Sequence, residues 1–200
     1  MVNTLPWWAI AIDIETTGLS AREDVPLEIG VALIDCLGNK GPSVDFLVYE
    51  DNDQYERAIW RGKKDEFVGP MHEKSGLWYE LGASAFACTR RRADEYLCDW
   101  LTQQNVRFGT LPLFGNSIGS LDRPFVLEHF PKFNLATSYR NIDVSSFKEA
   151  CKALNPTVWD KLKPIVGNKE NATHRVMGDI DACLAEWRAY VDNFIFVDGI

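Results

Sequence analysis

The 200-residue sequence has no run of eighteen apolar residues, which excludes a membrane-spanning helix. Its start, Met1 to Pro6, lacks the basic residues and small-residue cleavage site of a secretory leader. It has no C-x-x-C pair, and its five cysteines (Cys36, Cys88, Cys98, Cys151 and Cys183) are an odd number. That argues against a disulfide framework or a zinc site and for reduced thiols in the cytoplasm. There is no basic excess either: 21 Lys and Arg stand against 29 Asp and Glu, a net charge of −8. A protein gripping long nucleic acid through many phosphates normally shows a basic face. The one dense basic cluster, Arg90-Arg91-Arg92, reads equally as a helix start or a phosphate contact. Repeats, low-complexity tracts and long linkers are also lacking, so one domain over residues 1–200 is expected.

What is present is ordinary for a soluble globular protein, with 46% hydrophobic and 25% charged residues. Trp7–Ile14, Leu27–Ile34 and Val44–Tyr49 read as three strands. Turn signals at Gly18-Leu19-Ser20, Gly38-Asn39 and Gly41-Pro42 separate them, which predicts an antiparallel meander. Residues 51–90 read as short helices and loops. Beyond them, helical spacing over Ala93–Gln104 precedes a short strand at Leu111–Phe114 and a polar turn, then a helix over Leu121–Phe130. A brief strand at Asn141–Val144 follows, with Ser145 as N-cap of a helix to Leu154. Ile180, Cys183, Leu184, Trp187 and Val191 form the stripe of a last helix. Strands first, then alternating strand and helix, predict an α/β fold around a mixed sheet. The seven tryptophans are expected mostly in the core.

Three local patterns carry chemistry. Asp13 and Glu15 alternate on one strand, so both carboxylates face the same side. Hard oxygen donors converging there suit Mg²⁺ or Mn²⁺. Chance alone gives ~1 such spacing in a chain this acidic, so the pair needs support from elsewhere. His174 and Asp179 form a rarer His-x₄-Asp spacing, convergent if the histidine lies in a loop and the aspartate in the first turn of a helix. Asp122 follows Gly115-Asn116-Ser117-Ile118-Gly119 near a helix start, where simple capping is the plain alternative. Together Asp13, Glu15, Asp122 and Asp179 could hold two ions about 3.5–4 Å apart for phosphodiester hydrolysis, with His174 taking the proton from water.

That order of residues resembles the DEDD-type 3′→5′ exonucleases with a histidine base, and among them the oligoribonucleases. The resemblance rests on Asp13-Ile-Glu-Thr-Thr-Gly-Leu19, Met71-His-Glu-Lys-Ser-Gly-Leu77, Gly115-Asn-Ser-Ile-Gly119, Tyr139-Arg-Asn-Ile-Asp-Val-Ser145 and His174 to Ile180, which span nearly the whole chain. It implies a ribonuclease H-like mixed sheet flanked by helices, a homodimer, two divalent ions, and degradation of short single-stranded RNA to mononucleotides. It further implies that Leu19 and Phe67 hold the bases, that His72 and Ser117 contact the substrate, and that Tyr139, Arg140 and Ser145 reach the neighbouring protomer's site and cap a 5′ phosphate. Three departures stand out. Two residues, Ser120 and Leu121, precede Asp122 where the family has one, so a local bulge must reset the aspartate. Gly178 replaces an aspartate, and Phe67 replaces a tryptophan. Asp143 is a rival carboxylate read as structural, and Glu28 a neighbour of the metals or a strand partner. A DNA-directed exonuclease with the same site is the alternative, and a non-catalytic nucleic-acid-binding domain is the remaining one.

Overall fold

The computed structural model describes residues 7–83, 87–166 and 173–195. The Met1–Pro6 start and residues 171–172, just before the loop expected to carry His174, lie outside them. The three apolar runs form the expected meander: β1 (Ala9–Thr16), β2 (Pro26–Ile34) and β3 (Lys40–Leu47) are antiparallel neighbours. Two short strands, β4 (Leu113–Gly115) and β5 (Asn141–Asp143), extend the sheet in parallel, giving the order β3-β2-β1-β4-β5.

Helices cover both faces because β1 and β2 are apolar on both. Ile10, Ile12 and Ile14 point into a core shared with α1 (Asp53–Lys64), α2 (Val68–Lys74), α3 (Leu77–Ala83), α4 (Arg90–Gln103), α5 (Asp122–His129) and α6 (Pro131–Ala136). Ala9 and Ala11 face the opposite core, with α7 (Val144–Leu154), α8 (Pro156–Val166) and α9 (Val176–Tyr190). That second face is built of small residues, and the reason is the approach of α9. A Cβ on Gly30 would stand 2.7 Å from Cγ2 of Val176. Farther along α9, Trp187 packs on Trp8 and Phe147 with ring centroids 5.6 and 4.9 Å away, and its indole N–H donates to Cys36 O at 3.1 Å. Truncating such a buried aromatic to alanine costs roughly 3–5 kcal/mol, so Trp187 is a principal anchor of α9 on the sheet. Trp78 and Trp100 are buried as expected, whereas Trp60 is exposed.

The structure corrects three local expectations. Gly41 and Pro42 are not a turn but part of β3, which tolerates a proline because it is the edge strand. A Cβ on Gly41 would collide with the Trp7 ring that covers it. The cap of α7 is Asp143, whose carboxylate accepts the N–H of Ser145 at 2.9 Å; Ser145 is the capped residue rather than the cap. Finally, α6 and α8 occupy stretches to which the sequence reading assigned no element. Both start at a proline, which suits a first helical position. All five cysteines are free thiols. Among the described residues no helix is long and apolar enough to cross a membrane.

Candidate active site

Asp13 and Glu15 continue the alternation of Ala9 and Ala11, so they lie on the face of β1 that α9 covers. Register sets Asp13 opposite Gly30 and Glu15 opposite Glu28 on β2. With no side chain at Gly30, the start of α9 comes down onto the strand pair and brings Asp179 over the carboxylates. One donor atom each of Glu15, His174 and Asp179 lies within 4.8 Å of the others.

Asp13 and Asp122 join this group electrostatically. Burial holds the Asp13 carboxyl well above the usual carboxylate range, and Asp122, Glu15, Asp179 and Glu28 push it further in that order. Burial likewise raises Glu15 to about 8, with Asp179 and Glu28 adding to the rise and the Arg175 guanidinium opposing it. Asp122, at the first position of α5 and 2% exposed, is raised by burial to about 7, against the lowering effect of its own N–H and that of Ile14. Carboxylates that hold protons near neutral pH lack the positive charge their arrangement calls for. Hard oxygen donors with one imidazole nitrogen fit a divalent ion of the Mg²⁺ or Mn²⁺ type.

The turn before α5 absorbs the extra residue ahead of Asp122. Ser117 takes a positive φ of 55°, and its carbonyl accepts the N–H groups of Ser120 and Leu121 at 3.0 and 3.1 Å. Arg123 then turns its buried guanidinium onto Asn134, Thr137, Asn141 and the carbonyls of Ser138 and Arg140. One side chain next to Asp122 thereby pins the loop that carries Tyr139 and Arg140.

The expected substrate residues separate into three groups. Leu19 and Phe67 are 81% and 74% exposed, on turns fixed from beneath. The Leu19 turn is held by Asp24, which accepts from Thr17 Oγ1 and Ser20 N, and by a hydrogen bond between Ala21 O and His129 Nε2. The Phe67 N–H donates to Asp65 at 2.8 Å. Ser117, Ser145 and Asn116 form a second group: Ser117 N donates to Ser145 Oγ at 3.1 Å, and Ser145 Oγ donates to Asn116 Oδ1 at 3.3 Å. A cavity of about 530 Å³ opens there, lined by Asn116, Ser117, Ser145 and Lys148 together with Asp13 and Asp179. Tyr139 and Arg140 are exposed and stacked on each other, the guanidinium 5.1 Å from the ring centroid. His72 stands apart. It has no exposed surface, so the structure does not bring it to the substrate side. Its Nε2 bonds the Thr16 carbonyl at 2.9 Å, and its Nδ1, without a hydrogen-bond partner among the described residues, lies 3.8 Å from Glu15. Arg90 of the basic cluster is committed to Glu50 at 2.7 Å.

Two contributors were not legible as such. Thr173 donates its N–H and hydroxyl to Asp179 Oδ1 at 2.9 and 3.1 Å. Arg175 forks onto both oxygens of Glu28 and also onto Glu80. The adjoining His174 was found through its spacing to Asp179, but nothing local to Arg175 announces its partners.

The chain is similar to curated oligoribonucleases. It is 32% identical over 191 residues to that of Mycobacterium bovis, covering 95% of this chain and 80% of the relative. The Cutibacterium acnes oligoribonuclease is 32% identical over 181 residues, covering 88% of this chain and 82% of the relative. The Corynebacterium glutamicum one is 30% identical over 188 residues, covering 94% and 80%.

The chain belongs to the oligoribonuclease family. As an oligoribonuclease-family member it is a 3′→5′ exoribonuclease. No protein-family model matches it. The fold agrees with solved structures at low identity. Exonuclease I from Methylocaldum szegediense superimposes with a TM-score of 0.64 at 14% identity over 94% of this chain. Exonuclease I from E. coli in complex with a dT13 oligonucleotide gives 0.65 at 15% over 92%. In both, the chain spans 41% of the larger exonuclease. Its α/β sheet is therefore of the ribonuclease H-like exonuclease kind.

Proposed function

We propose that this single exonuclease domain removes nucleotides from the 3′ end of short single-stranded RNA, releasing nucleoside 5′-monophosphates, with two Mg²⁺ or Mn²⁺ ions and His174 as general base. The observation that carries the reading is the convergence of Glu15, His174 and Asp179, with Asp13 and Asp122 coupled to the same cluster. Asp13, Glu15, Asp122 and Asp179 are the residues that would hold the ions. When bound, such ions supply a more acidic water and charge stabilisation for the leaving oxygen.

The chain's own residues perform the remaining tasks. His174 accepts a proton from the attacking water as the new P–O bond forms. The bond from phosphorus to the penultimate nucleotide's 3′ oxygen breaks, and that oxygen takes a proton from solvent water, leaving a shortened chain with a 3′ hydroxyl. Leu19 and Phe67 present exposed apolar surface on rigid turns, suited to gripping unpaired bases. Ser117 offers a hydroxyl near the substrate's 3′ end, whereas Arg140 supplies a planar fork and Ser145 a hydroxyl for a 5′ phosphate, with Tyr139, Arg140 and Ser145 contributed across a homodimer. The ends of such a site measure length, which favours very short substrates. A cytoplasmic location accords with the free thiols.

Single-stranded DNA is the second reading, favoured by the fold shared with an exonuclease I bound to a dT13 oligonucleotide. Product analysis on end-labelled RNA and DNA of two to twenty nucleotides, with Mn²⁺ and then with chelator, separates the readings. Mononucleotide release fastest from the shortest RNA is expected. Faster digestion of long DNA transfers the function to the second reading, and undiminished cleavage in chelator overturns both.

A further inference from the structure

We propose that Arg175 is a positioning residue: its guanidinium, clamped between Glu28 and Glu80, fixes the turn that presents His174 and Asp179 to the carboxylates of β1. The inference rests on the nuclease reading above.

His174 is a one-residue link between two latches. On its N-terminal side, Thr173 is tied to Asp179 by two hydrogen bonds. On its C-terminal side, Arg175 is the N-cap residue of α9, and its side chain leaves the turn for the sheet. Arg175 Nε reaches Glu28 Oε2 at 3.0 Å and Nη2 reaches Oε1 at 2.8 Å, a bidentate fork. Two further hydrogens go to Glu80 on α3, from Nη1 at 3.0 Å and Nη2 at 2.7 Å. Glu28 also accepts the N–H of Val176 at 3.3 Å, so the same carboxylate holds the first turn of α9. Between these fixed points His174 sits at φ 49°, the left-handed region that a residue with a side chain keeps only when its surroundings impose it. Among the described residues no hydrogen bond to the His174 side chain itself is found; its direction comes from the backbone that the two latches hold.

The clamp has a second consequence. Glu28 is 3% exposed and directly opposite Glu15 in the sheet. Without Arg175, two carboxylates would stand side by side with no cation between Glu28 and the cluster. Lysine cannot substitute fully, because a single ammonium cannot engage two carboxylates in forked geometry.

The test compares wild type with Arg175→Lys, Arg175→Met and Glu80→Gln. Steady-state rates on a labelled dinucleotide with Mn²⁺ are read alongside the ring carbon–proton signals of histidine-labelled, metal-free protein, where His129, bonded to Ala21 and Arg90 away from the cluster, serves as the internal reference. In the Arg175 variants kcat should fall roughly 10–100-fold, as for loss of a residue that orients a metal-site side chain, with KM nearly unchanged. The His174 signal should move while that of His129 stays. Glu80→Gln removes only the outer arm and should give a smaller change of the same kind. Unchanged kcat and an unmoved His174 signal, with only a lower melting temperature, overturn the proposal. If both Arg175 variants fail to fold, Glu80→Gln decides, and its identity with wild type in both readouts is equally fatal. A wild-type chain inactive on RNA and DNA instead refutes the nuclease reading, while the histidine signals still test the clamp.

Discussion

A Cβ on Gly178 would collide with the side chain of Thr173, and it is this space that lets Thr173 turn its hydroxyl onto Asp179. The departure from Asp-Asp to Gly178-Asp179 thus has a structural counterpart. The site gives up a flanking carboxylate and gains a close hydroxyl latch on the aspartate that remains. Gly178→Ala should separate stability from activity. Alanine is the better helix former by ~1 kcal/mol, which offsets the cost of displacing Thr173, so melting should change little. Displacing Thr173 releases Asp179, and kcat should fall roughly tenfold or more. Unchanged turnover would mean that the Thr173 contact does not position Asp179.

Asp13→Asn should abolish turnover and leave the fold intact. The amide matches the carboxylate in shape but not in charge, and burial together with the neighbouring Asp122, Glu15, Asp179 and Glu28 opposes ionisation of Asp13. At alkaline pH, where the cluster is ionised, removing that charge should raise the melting temperature of the metal-free protein. Full activity in Asp13→Asn would exclude a metal role for the carboxylate.

The pH dependence of the metal-free protein follows from the same cluster. Glu15 is raised to about 8 and Asp122 to about 7, whereas both residue types titrate near ~4 in an unfolded chain. The folded state therefore binds protons more tightly than the unfolded one. The stabilisation is full below ~4 and is lost as pH rises through ~7–8. Thermal melting in chelator should show stability falling from weakly acid to weakly alkaline pH, and Mn²⁺ should flatten that fall. A metal-free protein that gains stability over this interval would contradict the assigned burial of the carboxylates.

How much of this could be read in advance depends on sequence distance. Asp13 with Glu15 and His174 with Asp179 are short-range patterns, whose spacing projects them together once a strand or a helix start is assumed. The meander was legible because its strands are near-continuous apolar runs. The start of β3 was not, since Gly41-Pro42 has the composition of a turn and only its edge position permits a strand. α6 is only six residues long, and α8, although Val158, Trp159, Leu162 and Ile165 fall at helical spacing, is interrupted by Pro164, which reads as a helix breaker. Arg175 was illegible for a different reason: Glu28 and Glu80 lie 147 and 95 residues away. Only the fold makes them neighbours. The burial of His72 was hidden likewise, because its surroundings come from β1 and α3.

His174→Ala should lower kcat by roughly 10²–10⁴, the contribution typical of a general base. The geometry also places the imidazole within ligand distance of Glu15 and Asp179, so a metal role must be tested separately. Mn²⁺ affinity measured calorimetrically should be retained in the variant. Loss of binding with an unaltered rate per bound site would make His174 a ligand instead of the base.

The exposed Phe67 tests the substrate end of the site. A large aromatic held 74% exposed on a turn pinned by Asp65 contributes little to the core, so its replacement should leave melting almost unchanged. Stacking on a base is worth about 1–3 kcal/mol, which corresponds to a rise in KM of roughly five- to 150-fold for Phe67→Ala. Phe67→Trp enlarges the platform and should lower KM on dinucleotides. Arg140→Ala acts at the other end. It should weaken substrates carrying a 5′ phosphate more than those lacking it, and sedimentation of wild type should give twice the mass of one chain. If the two ends jointly measure length, combining Phe67→Ala with Arg140→Ala should erase the preference for dinucleotides over longer RNA while residual cleavage persists, because Asp13, Glu15, Asp122, His174 and Asp179 are untouched. A double variant that keeps its length preference would locate the measuring device elsewhere in the molecule.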